Sequence, residues 1–194
     1  IEENGWQGWV SLLELDRNWG FAGGNNRGIE QCPGAKYFLL LNSDTLVHPG
    51  CLRHCLDVME GNVGIGALSC CLLNRDGSIQ NVTRRFPTPL RLLVRATGLP
   101  WRLPRLFEWA DTEDLGWDRS RVARDVDWVG GAFLWIRGDA LRKVGPLDEE
   151  FFFEGEDIEF CHRIWRAGFR CHYDPAASIT HFGGSSSDSS RMPR

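Results

Sequence analysis

The chain has no apolar run long enough to cross a bilayer, and no stretch of it reads as a signal peptide. It has no CxxC pair and no cysteine–histidine cluster at zinc spacing, which excludes the common zinc modules and thiol-redox motifs. It has neither GxGxxG nor a phosphate-loop lysine, which argues against the usual dinucleotide and ATP sites. No internal repeat is visible. Charge of one sign is also scarce: the formal net charge is -4 over 194 residues, so the chain as a whole is not built to hold nucleic acid.

What is present suits one domain with a real core: 42% of the residues are hydrophobic. The seven cysteines are an odd number and read as reduced core thiols of a cytosolic protein. Asn81-Val82-Thr83 matches a glycosylation acceptor, a triplet common by chance, and nothing else points to secretion. Nine tryptophans are many. An indole can offer its face to a sugar ring, and packing is the plainer use.

Along the chain, residues 9–15 read as a strand, and residues 18–26 as a Gly/Asn-rich loop, with a short helix expected from Gly24 to just before Cys32. Residues 37–41 are continuously apolar, as in a strand buried on both faces of a parallel sheet. Pro49 suits the first turn of a following helix, whose stripe is Leu52, Cys55, Leu56 and Met59. Asn74-Arg75-Asp76-Gly77-Ser78 reads as a hairpin turn between Leu72-Leu73 and Ile79. Residues 84–105 hold six arginines and no acid, with several leucines and a tryptophan among them. Further on, a strand is expected at 133–136, a helix at 139–144 stopped by Gly145, a helix at 156–167 with Ile158, Cys161 and Trp165 on one face, and a strand at 170–173. The Ser-rich tail from Gly183 reads as loose. Strand, polar loop and helix alternate, so the fold class is α/β.

In such sheets ligands gather at the carboxyl ends of strands, where Asn42-Ser43-Asp44 lies. Asp44 can bind a hard cation such as Mg²⁺ or Mn²⁺, and it can equally be a helix-capping or turn residue. Glu154, Glu156 and Asp157 open a helix; clustered acids suit proton abstraction, and they also suit a helix N-terminus. His181 follows the apolar stretch 177–180, and a lone histidine is most often a packed or exposed residue. Asn side chains in 18–28 can meet a base or ribose, and the glycines there allow close backbone approach.

Taken in order, these stretches resemble glycosyltransferase family 2, in particular its rhamnosyltransferase-like branch. The match is carried by Asn18-Trp19-Gly20-Phe21-Ala22 through Asn26-Arg27-Gly28, by Leu39 through Thr45, and by Val129-Gly130-Gly131-Ala132-Phe133. Val144-Gly145-Pro146-Leu147-Asp148-Glu149-Glu150-Phe151-Phe152 runs on into Glu156-Asp157, and His181-Phe182-Gly183-Gly184-Ser185 closes the pattern. The resemblance implies a GT-A-type, Rossmann-like mixed sheet flanked by helices over residues 1–186, with a variable basic insertion at about 84–125 and a flexible tail at 187–194. It implies that Asn42-Ser43-Asp44 stands at a DxD-like motif, with Asp44 on a Mg²⁺ or Mn²⁺ ion that bridges the donor diphosphate. His181 would complete the metal site. Asp157 would be the catalytic base of a single inverting displacement. Asn18, Asn26, Asn42, Gly131, Ala132 and Glu156 would contact substrate.

Two departures from the family pattern go with this. The opening Val/Ile-rich strand and its nucleotide-binding acid are missing, so the chain is expected to be a fragment without the first β-strand unit. The processive QxxRW motif is replaced by Cys161-His162-Arg163-Ile164-Trp165, so transfer of one sugar is expected. The partners implied are a nucleotide-diphosphate sugar and a glycan or lipid-linked acceptor, in cell-surface polysaccharide synthesis. The place is the cytoplasm, with residues 84–105 serving either as a peripheral contact at the inner face of the plasma membrane or as a solvated loop or lid. The competing readings are a nucleotidyltransferase, which should show a basic Gly-rich phosphate loop, and a non-catalytic nucleotide-sugar- or carbohydrate-binding module.

Overall fold

Residues 65–73 carry small and apolar side chains almost without a break, and in the computed structural model they form the doubly buried centre of a sheet. The structure describes residue 5 and residues 8–110, 117–152 and 155–183. Its elements are α1 (Gly20–Glu30), β1 (Tyr37–Leu41), β2 (Thr45–Val47), α2 (Cys51–Gly61), β3 (Ile65–Leu73), β4 (Thr83–Arg84), α3 (Pro89–Ala96), α4 (Leu99–Arg102), α5 (Pro104–Phe107), a 3-10 turn (Glu108–Ala110), β5 (Arg124–Val126), β6 (Trp128–Val129), β7 (Phe133–Arg137), α6 (Gly138–Val144), α7 (Glu156–Arg166) and β8 (Arg170–His181). The main sheet runs β1-β7-β3-β8-β2, with β5 on the first half of β8, while β4 and β6 make a separate ribbon. Among the described residues only the β3–β8 pairing is parallel, so the mixed sheet expected of the α/β class is present.

The two faces of β3 are covered by different helices. Ala67 and Cys71 pack with Ala22 of α1, Leu141 of α6 and Phe160 and Ile164 of α7. Leu68, Cys70 and Leu72 pack with Cys51, Cys55 and Met59 of α2. Each large apolar side chain fully buried in this way contributes about 1.5–3 kcal/mol. Gly66 is part of the same fit, because a methyl group there would stand 2.7 Å from Phe169 Cβ. Arg137, 6% exposed at the end of β7, closes the carboxyl end of α2 by donating to Met59 O and Asn62 O, and to Ile65 O at 2.7 Å.

β8 is interrupted once. Cys70 pairs with Asp174 but Cys71 pairs with Ser178, so residues 175–177 bulge out of the ladder. Pro175 has no N–H to give a neighbour, and Asp174 Oδ1 turns back to accept from Ala176 N at 2.9 Å. Past the bulge the strand meets β2, with Thr45 opposite His181.

Several expectations are corrected. Residues 9–15 form no strand; Trp9 and Leu12 are exposed and no ladder partner lies beside them among the described residues. The Gly/Asn stretch is helical from Gly20, because Ala22, Gly23 and Asn26 are buried in the interface of α1 and that packing outweighs poor intrinsic propensity. β1 is a half-buried end strand antiparallel to β7, not an inner parallel strand. Pro49 precedes α2, which starts after Gly50, and the buried stripe is Cys51, Cys55 and Met59 while Leu52 is exposed. On α7 the buried face is Glu156, Phe160, Cys161 and Ile164. The hairpin turn is present, with Leu73 bridged to Ile79 and Gly77 at φ 82°. All seven cysteines are free; six are buried and Cys32 is exposed. The tail beyond Gly183 lies outside the described residues.

Candidate active site

Two carboxylates face the same edge of the sheet, and each is held by a different set of bonds. Asn42, Ser43 and Asp44 make the turn between β1 and β2. Asn42 N donates to Ala132 O at 3.0 Å, and Thr45 Oγ1 donates to Asn42 O at 2.7 Å, so the turn is tied to the strand on either side of it. The β2–β8 pairing then brings His181 beside Asp44: Nε2 lies 3.3 Å from Asp44 Oδ1, both side chains are largely buried, and Phe182 N donates to Asp44 O.

The histidine is oriented by Gln80, which the sequence reading did not single out. Gln80 Nε2 donates to His181 O and to Asn74 Oδ1, each at 2.7 Å. Both are acceptors, so the amide is fixed with its oxygen towards His181 Nδ1, 2.9 Å away. Nδ1 therefore donates to Gln80, and Nε2 is left facing a carboxylate oxygen. A ring nitrogen and a carboxylate oxygen at 3.3 Å can share a proton or a metal ion, and an imidazole whose far nitrogen is held by an amide oxygen is the arrangement metal sites use. The only signal for Gln80 in the sequence is its place two residues beyond the hairpin turn, where Gln80 N donates to Leu72 O. Among the described residues no group of three His, Cys, Asp or Glu could hold a metal ion. Asp44 and His181 thus fit Mg²⁺ or Mn²⁺ only as a partial ligand set, to be filled by phosphate oxygens and water.

Asp157 sits in the first turn of α7. Its Oδ1 accepts from Ile158 N at 2.8 Å and its Oδ2 from Gly131 N at 3.1 Å, so two backbone N–H groups set the plane of the carboxylate. Gly130 N donates to Val82 O. Gly131 is closely covered: a methyl there would stand 3.0 Å from Phe21 Cζ of α1. A continuous path therefore runs from Asp157 through Gly131 and Ala132 to Asn42 and the Asp44 turn. Glu156 is buried beside it at 5% exposure, and Glu154 lies outside the described residues.

Asn18, just before α1, and Asn26, within it, are placed differently. Asn18 is exposed and starts the helix, accepting from Gly20 N at 2.9 Å. Asn26 is buried at 3% exposure, and its amide is spent on the segment before α7: Nδ2 donates to Leu147 O and Glu149 Oε1, and Oδ1 accepts from Leu147 N. Those bonds, with Arg27 beside them, hold the Glu149 carboxyl below its usual range. The structure thus joins Asp44 to His181, and Asn42, Ala132 and Gly131 to Asp157. Asn26 serves as a clamp that locks α1 to the connection between α6 and α7.

Comparison with known proteins shows the family and the fold. Residues 6–111, more than half of the chain, match the model described as glycosyl transferase family 2, and residues 111–187 match one described as glycosyltransferase (GlcNAc). An N-acetylglucosaminyl-diphospho-decaprenol L-rhamnosyltransferase of Mycobacterium tuberculosis is 28% identical over 183 residues, covering 89% of this chain and 58% of the relative. A low-salt glycan biosynthesis hexosyltransferase of Haloferax volcanii is 29% identical over 160 residues, covering 81% of this chain and 47% of the relative. The chain thus spans about half the length of these relatives. Among solved structures, that of GalNAc-T7 with UDP, GalNAc and Mn²⁺ superposes with a TM-score of 0.64 at 13% identity, covering 94% of this chain and 34% of that one; the likeness is one of fold, and the fold is GT-A-like.

Proposed function

The chain belongs to glycosyltransferase family 2, and from that premise we propose that it carries the catalytic centre of a metal-dependent, inverting transferase. The reaction moves one sugar from a nucleotide-diphosphate donor to a hydroxyl of a glycan or lipid-linked acceptor, in cell-surface polysaccharide synthesis. The observation that carries the reading is the Asp44–His181 pair, fixed by Gln80 and joined through Asn42, Ala132 and Gly131 to Asp157. A rhamnosyltransferase and a hexosyltransferase among the relatives support the sugar chemistry, and the diphospho-decaprenol in the name of the first supports a lipid-borne diphosphate acceptor.

In this reading Asp44 and His181 hold Mg²⁺ or Mn²⁺, whose contribution when bound is to offset charge on the departing diphosphate. Asp157 takes the proton of the acceptor hydroxyl as that oxygen attacks the anomeric carbon from the face away from the nucleotide. Its two backbone bonds keep the carboxylate in one orientation, so no reorganisation is needed as the proton moves. Asn42 and Ala132 line the path between the two ends. Asn18 and Glu156 stand at its margins, and Asn26 contributes by holding α1 in place. The reaction is placed on the cytoplasmic side, with peripheral contact at the inner face of the plasma membrane through residues 84–105.

Calorimetric titration of Mn²⁺ together with UDP-, GDP- and dTDP-sugars tests this. One of them should bind with an affinity that falls when Mn²⁺ is removed. Absence of binding by every nucleotide sugar, with and without the metal, would overturn the reading in favour of a protein that lost the activity.

A further inference from the structure

A surface helix normally turns its apolar stripe inwards and its cations outwards. Helix α3 is the reverse. Leu90, Leu92 and Leu93 are 59%, 52% and 66% exposed, and none of its residues is buried. Arg91 instead points in: Nε donates to Trp109 O at 3.0 Å, Nη1 donates to Phe86 O at 2.8 Å, and Nη1 lies 3.4 Å from Asp127 Oδ2. Arg85 does the same, donating to Glu108 O. The guanidinium groups thus staple the arm together from within. What the arm shows to solvent is leucine, with Trp101 and Leu106 about as exposed and Arg102 and Arg105 beside them.

We infer that this outward leucine edge is the surface that docks on an anionic lipid bilayer, and that it enters the headgroup layer by its leucines and Trp101, with Arg102 and Arg105 on the lipid phosphates. Charge complementarity selects the bilayer. Residues 84–105 contain no acid, and Arg102 and Arg105 stand exposed beside the leucines, so two copies meeting by this edge would bring like charges together, while anionic headgroups attract them. Apolar insertion plus basic contacts is the combination by which interfacial helices bind membranes.

The arm is also wired to the catalytic end. Phe86 N donates to Asp127 Oδ2 at 2.7 Å, and the Phe86 ring meets the His162 ring of α7 edge-on at 5.4 Å. The β4–β6 ribbon pairs Thr83 with Val129, directly before Gly130 and Gly131, and Gly131 N is the Asp157 partner. A docked arm therefore sets the base end of the site towards the membrane, where a lipid-borne acceptor presents its hydroxyl. In that last respect the inference rests on the function proposed above.

Flotation with vesicles of phosphatidylcholine containing about one-third phosphatidylglycerol is the test. The chain should float with them, and Leu92→Glu/Leu93→Glu should cut the bound fraction about tenfold with an unchanged thermal midpoint, since both side chains are exposed. Arg102→Glu/Arg105→Glu should weaken binding on the anionic vesicles and leave the weak binding to pure phosphatidylcholine as it was. Failure of the chain to float, a leucine variant that floats as well as the parent, or a lipid-free dimer that the leucine variant disperses would each overturn the inference. Donor titration of the same proteins separates the two ideas: a chain that docks but binds no nucleotide sugar removes the proposed function and leaves the docking surface standing.

Discussion

Asp44 and Asp157 are both carboxylates at the edge of one sheet, yet they are secured in different ways. Asp44 meets a histidine whose own direction is set by a glutamine, so that end depends on side-chain identities at three separated places in the chain. Asp157 is held by the N–H groups of Gly131 and Ile158, which any residue but proline would supply if the backbone ran there. The first end can be undone by a single substitution that changes no fold. The second is as firm as the packing of α1, α7 and the 130–132 loop, and what it demands of the sequence is room, given by glycine under Phe21.

The contrast can be broken most severely at Asp157. Asp157→Asn keeps the shape, can accept from only one of the two backbone N–H groups and cannot take a proton; we expect turnover to fall by about 1,000-fold or more, with donor and Mn²⁺ affinity kept, as read by single-turnover assay beside calorimetry. Asp44→Asn should show the opposite division, with metal-dependent donor binding weakened on the order of 100-fold and the loss traceable to Mn²⁺ affinity. Gln80→Leu should lower Mn²⁺ affinity by about 10- to 100-fold by releasing the His181 ring, although it touches neither metal nor donor. A Gln80→Leu protein with unaltered metal affinity would show that the glutamine is only packing. The smallest effect is expected at Asn42→Ala, since its N–H bond to Ala132 survives; the loss of a side-chain hydrogen bond to donor is worth about 2- to 10-fold in donor affinity.

The same contrast explains what could be read from the sequence. The β1 strand, α6 with its Gly145 stop, the hairpin turn and the start of α7 carry local signals, and the structure has them. The central strand β3 carries a weak strand signal because its run includes Gly66, Ala67 and Ser69, of which Gly66 is set by close approach to Phe169 and Ser69 by a bond to Phe133 O, not by strand propensity. Helix α1 was misjudged at its start for the same kind of reason: tertiary packing overrides its glycines. Asp44, Asp157 and His181 were legible only as an ordered set resembling a family, since each alone has an ordinary structural use. Gln80 was not legible, because its role follows from a hairpin register and from a strand a hundred residues later. The arm was read correctly as basic and apolar, but composition cannot say that its arginines face in and its leucines out.

The bulge at residues 175–177 has a consequence for how this strand can change over time. Before it, Cys171 and Tyr173 belong to the core under α7; after it, Ala177 and Ile179 belong to the core under α2, although all four have odd numbers. Three extra residues therefore act as a phase shift, moving the odd positions from one side of the sheet to the other. Losing or gaining one residue there would reset the phase, send Ile179 to the wrong side and turn the His181 ring away from Asp44. The length of this segment can therefore change only in steps of two.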